Sequence, residues 1–381
     1  MQLRAPPFWE TKNLIALALW PVSLIYGAIL RLRGVAYALH LLKSQEIPIP
    51  IIFVGNIRIG GTGKTPIVIA LAKALHARGF RPGIISRGYL AKNVNPGSYR
   101  DSRQVLPSDL AQEVGDEPLL IAQQLSPLHI PIWTGQQRSS CAQSLIEHHP
   151  GCNLLISDDG LQHLALRRNP VRKGGRDIEI VIHDARGEGN GFLLPAGPLR
   201  DFPNRPRDIT FNLRNLNEND ALKQLPTPNH FPEEQTASPI PSSMDIQTIS
   251  DSTNPSFEIQ CVQGQAYQLI NPKNQQDLRE MVNQPVLALA GIAHPEKFFH
   301  QLKQVGLSIT THPLPDHFDF SSNPFDKYSV DDFPLILITE KDAVKCKSLT
   351  DPRIWVVPLT AKIPDPVIAW ICQFLPHHLH Y

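Results

Sequence analysis

Residues Ile49 to Pro66 read IPIIFVGNIRIGGTGKTP, and no other stretch of this chain restricts its fold so closely. An apolar, largely β-branched run (Ile49, Ile51, Ile52, Phe53, Val54) meets a glycine cluster. Lys64 and Thr65 follow, and then apolar residues at helical spacing: Ile67, Val68, Ala70, Leu71, Ala74 and Leu75. That order predicts a strand, a phosphate-binding loop and a helix. Glycines let successive backbone N–H groups converge on one point, and the helix adds its own unpaired donors and the positive end of its dipole. Gly60, Gly61, Thr62, Gly63, Lys64 and Thr65 are therefore the candidate cradle for a nucleoside triphosphate such as ATP. Lys64 would reach the β/γ-phosphates as a point charge, and the Thr65 hydroxyl would ligate Mg²⁺. The strict pattern GxxxxGK[ST] places glycine at position 58, where this chain has Arg58. A variant loop of some partitioning and targeting ATPases carries lysine where Ile59 stands, which counts against that class.

A second signal lies about ninety residues on. In NLLISDDGLQHLAL, a buried strand from Asn153 to Ser157 ends at Asp158 and Asp159, where a phosphate-loop enzyme places its Mg²⁺-orienting acid. Between the two signals, RPGIISRGY reads as a strand that carries Ser86, Arg87 and Tyr89 to the same crevice, by the rule that ligands gather at the carboxyl ends of strands. Asp116 and Glu117 precede an amphipathic helix, and an acidic pair there by itself does no more than compensate a helix dipole. A further strand leads to Arg138 in a helix's first turn. Beyond them, GEGNGFLLPAGPLRDFP is a shaped loop in which Arg200, beside Asp201, either stabilises phosphoryl charge or caps a carbonyl.

Asn13 to Leu30 carries no charge and is closed by Arg31 and Arg33, at the edge of the length that spans a bilayer. No small-residue cleavage site follows, which argues against a signal peptide. Trp9, Trp20 and Tyr26 with flanking arginines suit a helix in the membrane interface, in preference to a spanning or a buried core helix. A formal net charge of +1 gives no global case for nucleic-acid binding, and five cysteines without CxxC pairing fit a reducing compartment.

The expected fold is α/β, a P-loop NTPase-like and mostly parallel sheet with flanking helices, plus a second, smaller α/β unit. The expected divisions are the apolar helix at 1–34, the core at 35–211, a Pro/Asn/Ser-rich insertion at 212–284 and the smaller unit at 285–381. Within the insertion SFEIQCV reads as a strand, with AYQLI as its hairpin partner. Thr339-Glu340-Lys341-Asp342 is a near miss of the [NT]KxD guanine-reading segment, so a GTPase or ATPase switch that controls a partner's affinity is the alternative function.

GGTGKTP, SRGY, GDEP, DDGLQH, GNG-LLPAGPLR, GIAHPEKFF, PDHF and TEKDAVKC occur in one order, and together the chain resembles the tetraacyldisaccharide 4'-kinase (lipid A 4'-kinase) family. The resemblance implies ATP-dependent phosphorylation of the 4'-hydroxyl of tetraacyldisaccharide 1-phosphate, a lipid A precursor. It also implies a peripheral enzyme at the cytoplasmic face of a bacterial inner membrane, with no nucleic acid and no obligate protein partner. It places ATP and Mg²⁺ at Lys64 and Thr65, and a metal-binding acid at Asp159 beside Asp158. Asp116 becomes the catalytic base, paired with His317. Arg87, Arg138, Gln162, His163 and Arg200 fall on family site positions. Where the family reads LRE this chain has Leu199-Arg200-Asp201, and the loop around Arg168 to Gly175 is longer than its family counterpart. Because Asp116 and His317 lie two hundred residues apart, their meeting implies that the C-terminal part closes over the first.

Overall fold

The computed structural model describes residues 6–88, 102–214, 255–347 and 349–376. Tyr89, most of the Asn- and Pro-rich insertion and the histidine-rich end (377–381) lie outside them.

The chain opens with helix α1 (Leu14–Ala38), whose Asn13 cap accepts a hydrogen bond from the Ala16 amide. Strand β1 (Ile51–Gly55) and helix α2 (Lys64–Ala77) flank the phosphate loop. Next come β2 (Pro82–Ser86), β3 (Ser102–Gln104), α3 (Ala111–Val114), α4 (Asp116–Leu125), β4 (Ile132–Gly135), α5 (Arg138–His148), β5 (Leu154–Asp158), β6 (Ile178–His183) and β7 (Ile209–Arg214). The later elements are β8 (Ser256–Gln263), β9 (Ala266–Gln268), β10 (Asn271–Gln276), β11 (Val286–Ala290), α6 (Pro295–Gln304), β12 (Ile309–Pro313), β13 (Leu335–Thr339), α7 (Glu340–Ala343), β14 (Ile354–Val357), β15 (Leu359–Lys362) and α8 (Asp365–Phe374).

Nine strands form the larger sheet in the order β15-β8-β7-β6-β1-β5-β2-β4-β3, parallel except at its two antiparallel edges, β15 and β3. All five residues of β1 are buried, because parallel strands are covered on both faces and so read as unbroken apolar runs. Ile52 and Val54 face a core shared with Ile67, Val68, Leu71 and Leu75 of α2, while Ile51 and Phe53 face one shared with Cys141, Ala142 and Leu145 of α5. Six strands form the second sheet in the order β10-β9-β14-β13-β11-β12, with Phe298, Phe299 and Leu302 of α6 packed on one side.

The strand order departs from a division of the chain into consecutive units. β8 joins the larger sheet beside β7, whereas β9, only three residues after β8, pairs with β10 and β14 in the smaller one. SFEIQCV and AYQLI are therefore not a hairpin. The end of the chain returns as well: β15 is the larger sheet's edge, and Val367, Ile368, Trp370 and Ile371 of α8 enter the core of that sheet. Apolar residues spaced for a helix find whichever sheet face is uncovered, and local pattern does not say which.

Helix α1 exceeds the expected span and sits on the molecule by its small residues. Ala16, Ser23 and Gly27 are buried, while Leu14, Ile15, Leu17, Ile25 and Ile29 are exposed. Ser23 Oγ donates to the Leu193 carbonyl at 2.8 Å and accepts from the Ala196 amide at 3.0 Å. A Cβ on Gly27 would lie 3.0 Å from Leu193 Cδ1. A full leucine there has no space, so Gly27→Leu is expected to lift the helix at a cost of about 1–3 kcal/mol. Limited proteolysis between residues 38 and 50 should then accelerate, and unchanged resistance would show that the helix docks some other way.

Candidate active site

Register brings the two sequence signals together. In the β1–β5 pairing Val54 lies opposite Asp158, so the chain leaves β1 for the phosphate loop beside the acidic pair that ends β5. Lys64 opens α2, and its N-cap Gly63 has φ 76°, a left-handed conformation that glycine adopts without strain. Lys64 Nζ lies 3.6 Å from Asp159 Oδ1 and 3.3 Å from Asn56 Oδ1. Arg200 clamps Asp159 with both ends of its guanidinium, one bond being 3.0 Å to Oδ2, and its Nε donates to the Asn56 carbonyl at 3.1 Å. Burial alone would raise the Asp159 carboxyl, but Lys64 and Arg200 outweigh it and hold the group well below the usual carboxylate range.

Asp158 is held differently. Its Oδ2 accepts from Ser86 Oγ at 3.0 Å, and its backbone carbonyl accepts from Arg138 Nη2 at 2.7 Å. Complete burial, reinforced by the charge of Glu117, pushes it up to about 6. Two adjacent carboxylates thus differ in proton affinity, because one faces cations and the other is sequestered. Among the described residues, Asp158 Oδ1, Thr62 Oγ1 and the Nε and Nη1 atoms of Arg138 are buried without a hydrogen-bond partner. Buried polar atoms are normally satisfied, so these mark a place where something polar binds.

The residue replacing the expected glycine has its own work. Arg58 is buried, donates to the carbonyls of Arg186 (3.1 Å) and Gly187 (3.4 Å), and pairs with Glu10 near the N-terminus. It ties the phosphate loop to the segment after β6.

The second cluster joins Asp116 and Glu117 at the start of α4 to side chains of the smaller sheet's lobe. His317 Nδ1 and Asp116 Oδ2 share a hydrogen bond of 2.9 Å across 201 residues of sequence. Lys341 and Lys345 stand 3.8 Å and 4.0 Å from the same oxygen, and Lys341 also pairs with Glu117 at 2.9 Å. Burial would raise Asp116, but the His317 bond and the two lysines lower it, so it is a carboxylate at neutral pH. The His317–Asp116 hydrogen bond in turn raises His317 above its ordinary value. Asp159 and His317 both hold positive φ, 51° and 57°, uncommon for residues with side chains and a form of strain that concentrates at functional sites.

The near miss of a guanine-reading segment is structural. Asp342 is fully buried, accepting from the Gly291 amide at 3.0 Å and Thr339 Oγ1 at 2.8 Å and pairing with Lys345 at 2.9 Å. It has no face left for a base.

Gln162 donates to the Asn56 carbonyl at 3.2 Å. His163 is pushed down to about 4 by burial, with Arg138 and Arg87 adding to it. Arg87 is exposed at the end of β2, close enough that its charge also bears on Arg138. Arg200 and Asp201 do not pair with each other: Asp201 binds Arg205. A cavity of about 260 Å³ runs between the two sheets from Gly61–Pro66 past Glu117 and Lys341 to the apolar side chains of Leu213, Ile292, Phe298, Val357 and Leu359.

Sequence reasoning missed a second bridge between the lobes beside this cavity. Asp184, the residue after β6, binds Lys297 of α6 at 3.0 Å and the guanidinium of Arg186, which also donates to the Gly61 carbonyl at 3.1 Å and meets His294. The rule that singled out Asp158, an acid at a strand's carboxyl end, applies to Asp184 as well. Asn56, which receives both Lys64 and Arg200, is an amide and not an acid, but it stands one residue beyond β1, at the strand end where ligands gather.

A phosphate loop after a central parallel strand, its lysine facing an acid at the end of the adjacent strand, defines a protein of the P-loop kinase fold. The sequence signature described as Tetraacyldisaccharide-1-P 4'-kinase (LpxK) matches residues 15–376. The tetraacyldisaccharide 4'-kinase of Polynucleobacter asymbioticus is 42% identical over 377 residues, covering 98% of this chain and 95% of that one. That of Herminiimonas arsenicoxydans is 40% identical over 374 residues, covering 97% and 94%. The solved LpxK of Aquifex aeolicus, described in complex with ATP, has the same fold at a TM-score of 0.67 and 22% identity, covering 95% of this chain and all of that one. The chain belongs to the tetraacyldisaccharide-1-P 4'-kinase family.

The donor set fits a magnesium ion. Among the described residues no group of three or more His, Cys, Asp or Glu could hold a metal alone. Magnesium, however, takes one or two carboxylates and completes its shell with phosphate oxygens and water. Asp158 with its orphaned oxygen, Asp159 and the Thr65 hydroxyl are oxygen donors of that kind.

The His317–Asp116 contact carries a pH signature. An imidazolium favoured in the fold contributes most below the unfolded pKa of about 6.5, and the contribution fades as pH rises through the higher folded value. The difference in Tm between wild type and His317→Asn is therefore expected to be widest near pH 6 and to narrow by about pH 9. A gap independent of pH would mean that no ion pair forms.

Proposed function

We propose that this protein transfers the γ-phosphoryl group of ATP to the 4'-hydroxyl of tetraacyldisaccharide 1-phosphate, with the paired Asp116 and His317 at the acceptor side of the phosphate cradle. The observation that carries the reading is the convergence of the Lys64–Asp159–Arg200 cluster and the Asp116–His317 pair, with Glu117 within electrostatic reach of Asp158 and beside Lys341.

The Gly60 to Gly63 backbone and the α2 N-terminus bind the β/γ-phosphates, Lys64 neutralises them, and the apolar side chains at the far end of the cavity receive the base. Thr65 and Asp159 beside Asp158 would hold a magnesium ion, which would supply neutralisation of the phosphates' charge. Asp116, an ionised carboxylate, accepts the sugar hydroxyl's proton as that oxygen attacks. His317 fixes the orientation of Asp116 and spreads the charge, while Lys341 and Lys345 keep the site cationic where phosphate arrives. Arg200 holds Asp159 in place through a two-pronged contact that lysine cannot reproduce. Arg138, Gln162, His163 and Arg87 line the acceptor side.

The lipid substrate suits α1. The helix touches the backbone of two loops along much of its length: Ser23 reaches the Leu193 carbonyl and Tyr26 the Arg200 carbonyl at 3.2 Å in the loop after β6, and Arg33 the Gln162 carbonyl at 3.2 Å in the loop after β5. A helix crossing a bilayer would carry those loops into hydrocarbon, where unsatisfied polar groups are costly. The exposed apolar face therefore lies in the plane of the interface, at the cytoplasmic side where ATP is available.

Incubation with ATP, Mg²⁺ and the disaccharide 1-phosphate lipid should yield a product one phosphate heavier, and GTP should substitute poorly. Equal use of GTP would favour the switch reading. Asp116→Asn is expected to reduce kcat by about 10²–10⁴-fold with folding retained. Lys64→Ala should cost on the order of 10²-fold or more through lost charge stabilisation. Wild-type turnover in either variant would remove that residue from the mechanism.

A further inference from the structure

The reaction described above gives Arg186 no role, although its guanidinium ends on the phosphate loop. Arg186 stands in a turn after β6 that the Gly187 amide closes by donating to the Asp184 carbonyl at 2.9 Å. Asp184 is buried, and its carboxylate accepts from the Arg186 amide at 3.1 Å and from Nε at 2.9 Å, so the side chain is clamped to its own turn. Arg58 holds the turn from the other side, through the carbonyls of Arg186 and Gly187. Burial would raise Asp184, but the Arg186 hydrogen bonds and the Lys297 charge outweigh it and pull the group down to about 2, so the clamp is ionised at neutral pH.

The number of donors decides what the guanidinium can grip. Arginine carries five N–H groups in a fixed fork. Nε and one Nη2 hydrogen go to Asp184, the other Nη2 hydrogen goes to the Gly61 carbonyl at 3.1 Å, and Nη1 meets His294 Nε2. Burial, with Arg186 adding to it, pushes His294 down to about 4, so the ring is neutral and Nε2 accepts. Most of the fork is therefore spent on protein acceptors, and too little remains for a two-pronged hold on a phosphate.

What the fork holds is a peptide plane. Among the described residues only Leu194–Pro195 is cis, so the Gly61–Thr62 bond is trans, with its carbonyl and its N–H on opposite sides. A carbonyl pinned toward Arg186 turns the Thr62 N–H the other way. Gly61, Thr62 and Gly63 all line the inter-sheet cavity, and among the described residues the buried Thr62 Oγ1 has no partner. Gly60, with φ 108°, shows how closely the brace fits: a Cβ there would lie 3.1 Å from His294 Nε2 and 3.2 Å from Arg186 Nη1. A glycine-rich loop has many peptide orientations open to it, and a fixed donor on one carbonyl removes most of them.

We propose that Arg186 is a positioning residue of the phosphate loop: held by Asp184 and His294, it fixes the Gly61–Thr62 peptide so that the Thr62 N–H is presented to the nucleotide's phosphates. The proposal rests on the ATP-binding part of the reading above. Asp184 belongs to the larger lobe and His294 to the smaller, so both lobes set the shape of the loop.

Nucleotide affinity and loop order are measured separately, by displacement of a fluorescent ATP analogue and by hydrogen exchange of peptides spanning 56–66 in the nucleotide-free protein. In Arg186→Gln the Kd for ATP is expected to rise about tenfold, the scale of one lost charge-assisted hydrogen bond, while exchange of the loop accelerates. KM for ATP should rise with it and KM for the lipid should stay as in wild type. His294→Leu should weaken ATP binding in the same direction, and His294→Gln, whose amide oxygen accepts at a similar reach to Nε2, should restore most of the affinity. Unchanged ATP affinity in folded Arg186→Gln, or equal behaviour of the two His294 variants, would overturn the assignment, and the His294 pair decides it alone if Arg186→Gln does not fold. Weaker ATP binding with unaltered loop exchange would mean that the guanidinium meets the phosphates itself, and would equally overturn it. A wild type that binds ATP with these dependences but transfers no phosphate would sink the kinase reading and leave the brace standing.

Discussion

The carboxylate of Asp159 is the point on which the larger lobe's geometry turns. It draws Lys64 from the start of α2 and Arg200 from the loop after β6, while Asn56 accepts from the same two cations. Three segments far apart in sequence thus meet on two side chains. The backbone supports the arrangement: a Cβ on Gly160 would fall 2.4 Å from Ser157 Oγ, so the turn that swings Asp159 to positive φ requires glycine next in the chain. The neighbouring Asp158, sequestered beside Ser86 and Arg138, has its carboxyl pushed up to about 6 by burial. A cation entering the cradle would find one acid already ionised and one whose ionisation it would itself promote.

Coupling between the lobes is electrostatic at both sides of the inter-sheet cavity. On one side the carboxylate of Asp116 belongs to the larger lobe and His317, Lys341 and Lys345 to the smaller. On the other, Asp184 belongs to the larger and Lys297 to the smaller. The covalent path reinforces this, since the chain passes from β8 to β9 and again from β14 to β15, crossing between sheets twice within a few residues. Two short crossings restrict relative rotation of the lobes more than one long linker would.

Much of this was legible in the sequence, and what was not has a definite cause. The strand–loop–helix at Ile51 to Ala77 and the acid-bearing strand at Leu154 to Asp158 could be read because a fully buried parallel strand has few alternatives to a β-branched run, and a phosphate loop few alternatives to glycines and lysine. The pairing of Asp116 with His317 entered only through family likeness, since nothing in the spacing of two residues 201 apart encodes a contact. Strand membership failed where it depends on partners: SFEIQCV is a strand as read, yet its neighbours are β7 and β15 and not the segment that follows it. Arg58 is the opposite kind of case. Read as a flaw in a glycine pattern, it is a buried anchor whose hydrogen bonds hold the loop to residues 186 and 187.

The small residues of α1 explain how so apolar a helix is held on the surface of the protein. Ala16, Ser23 and Gly27 allow close approach to the Leu193–Arg200 loop, so the apolar side chains are left on the far face. Hydrophobic burial cannot hold such a helix to the protein, because most of its apolar surface remains outside. Directional bonds do so: just before the helix Trp9 Nε1 reaches the Pro195 carbonyl at 2.9 Å, and from the helix itself Ser23 reaches the loop backbone and Tyr26 the Arg200 carbonyl. The last of these joins the helix to the residue that clamps Asp159. A displacement of α1 would therefore bear on the backbone of Arg200 and, through its guanidinium, on the carboxylate that Lys64 faces.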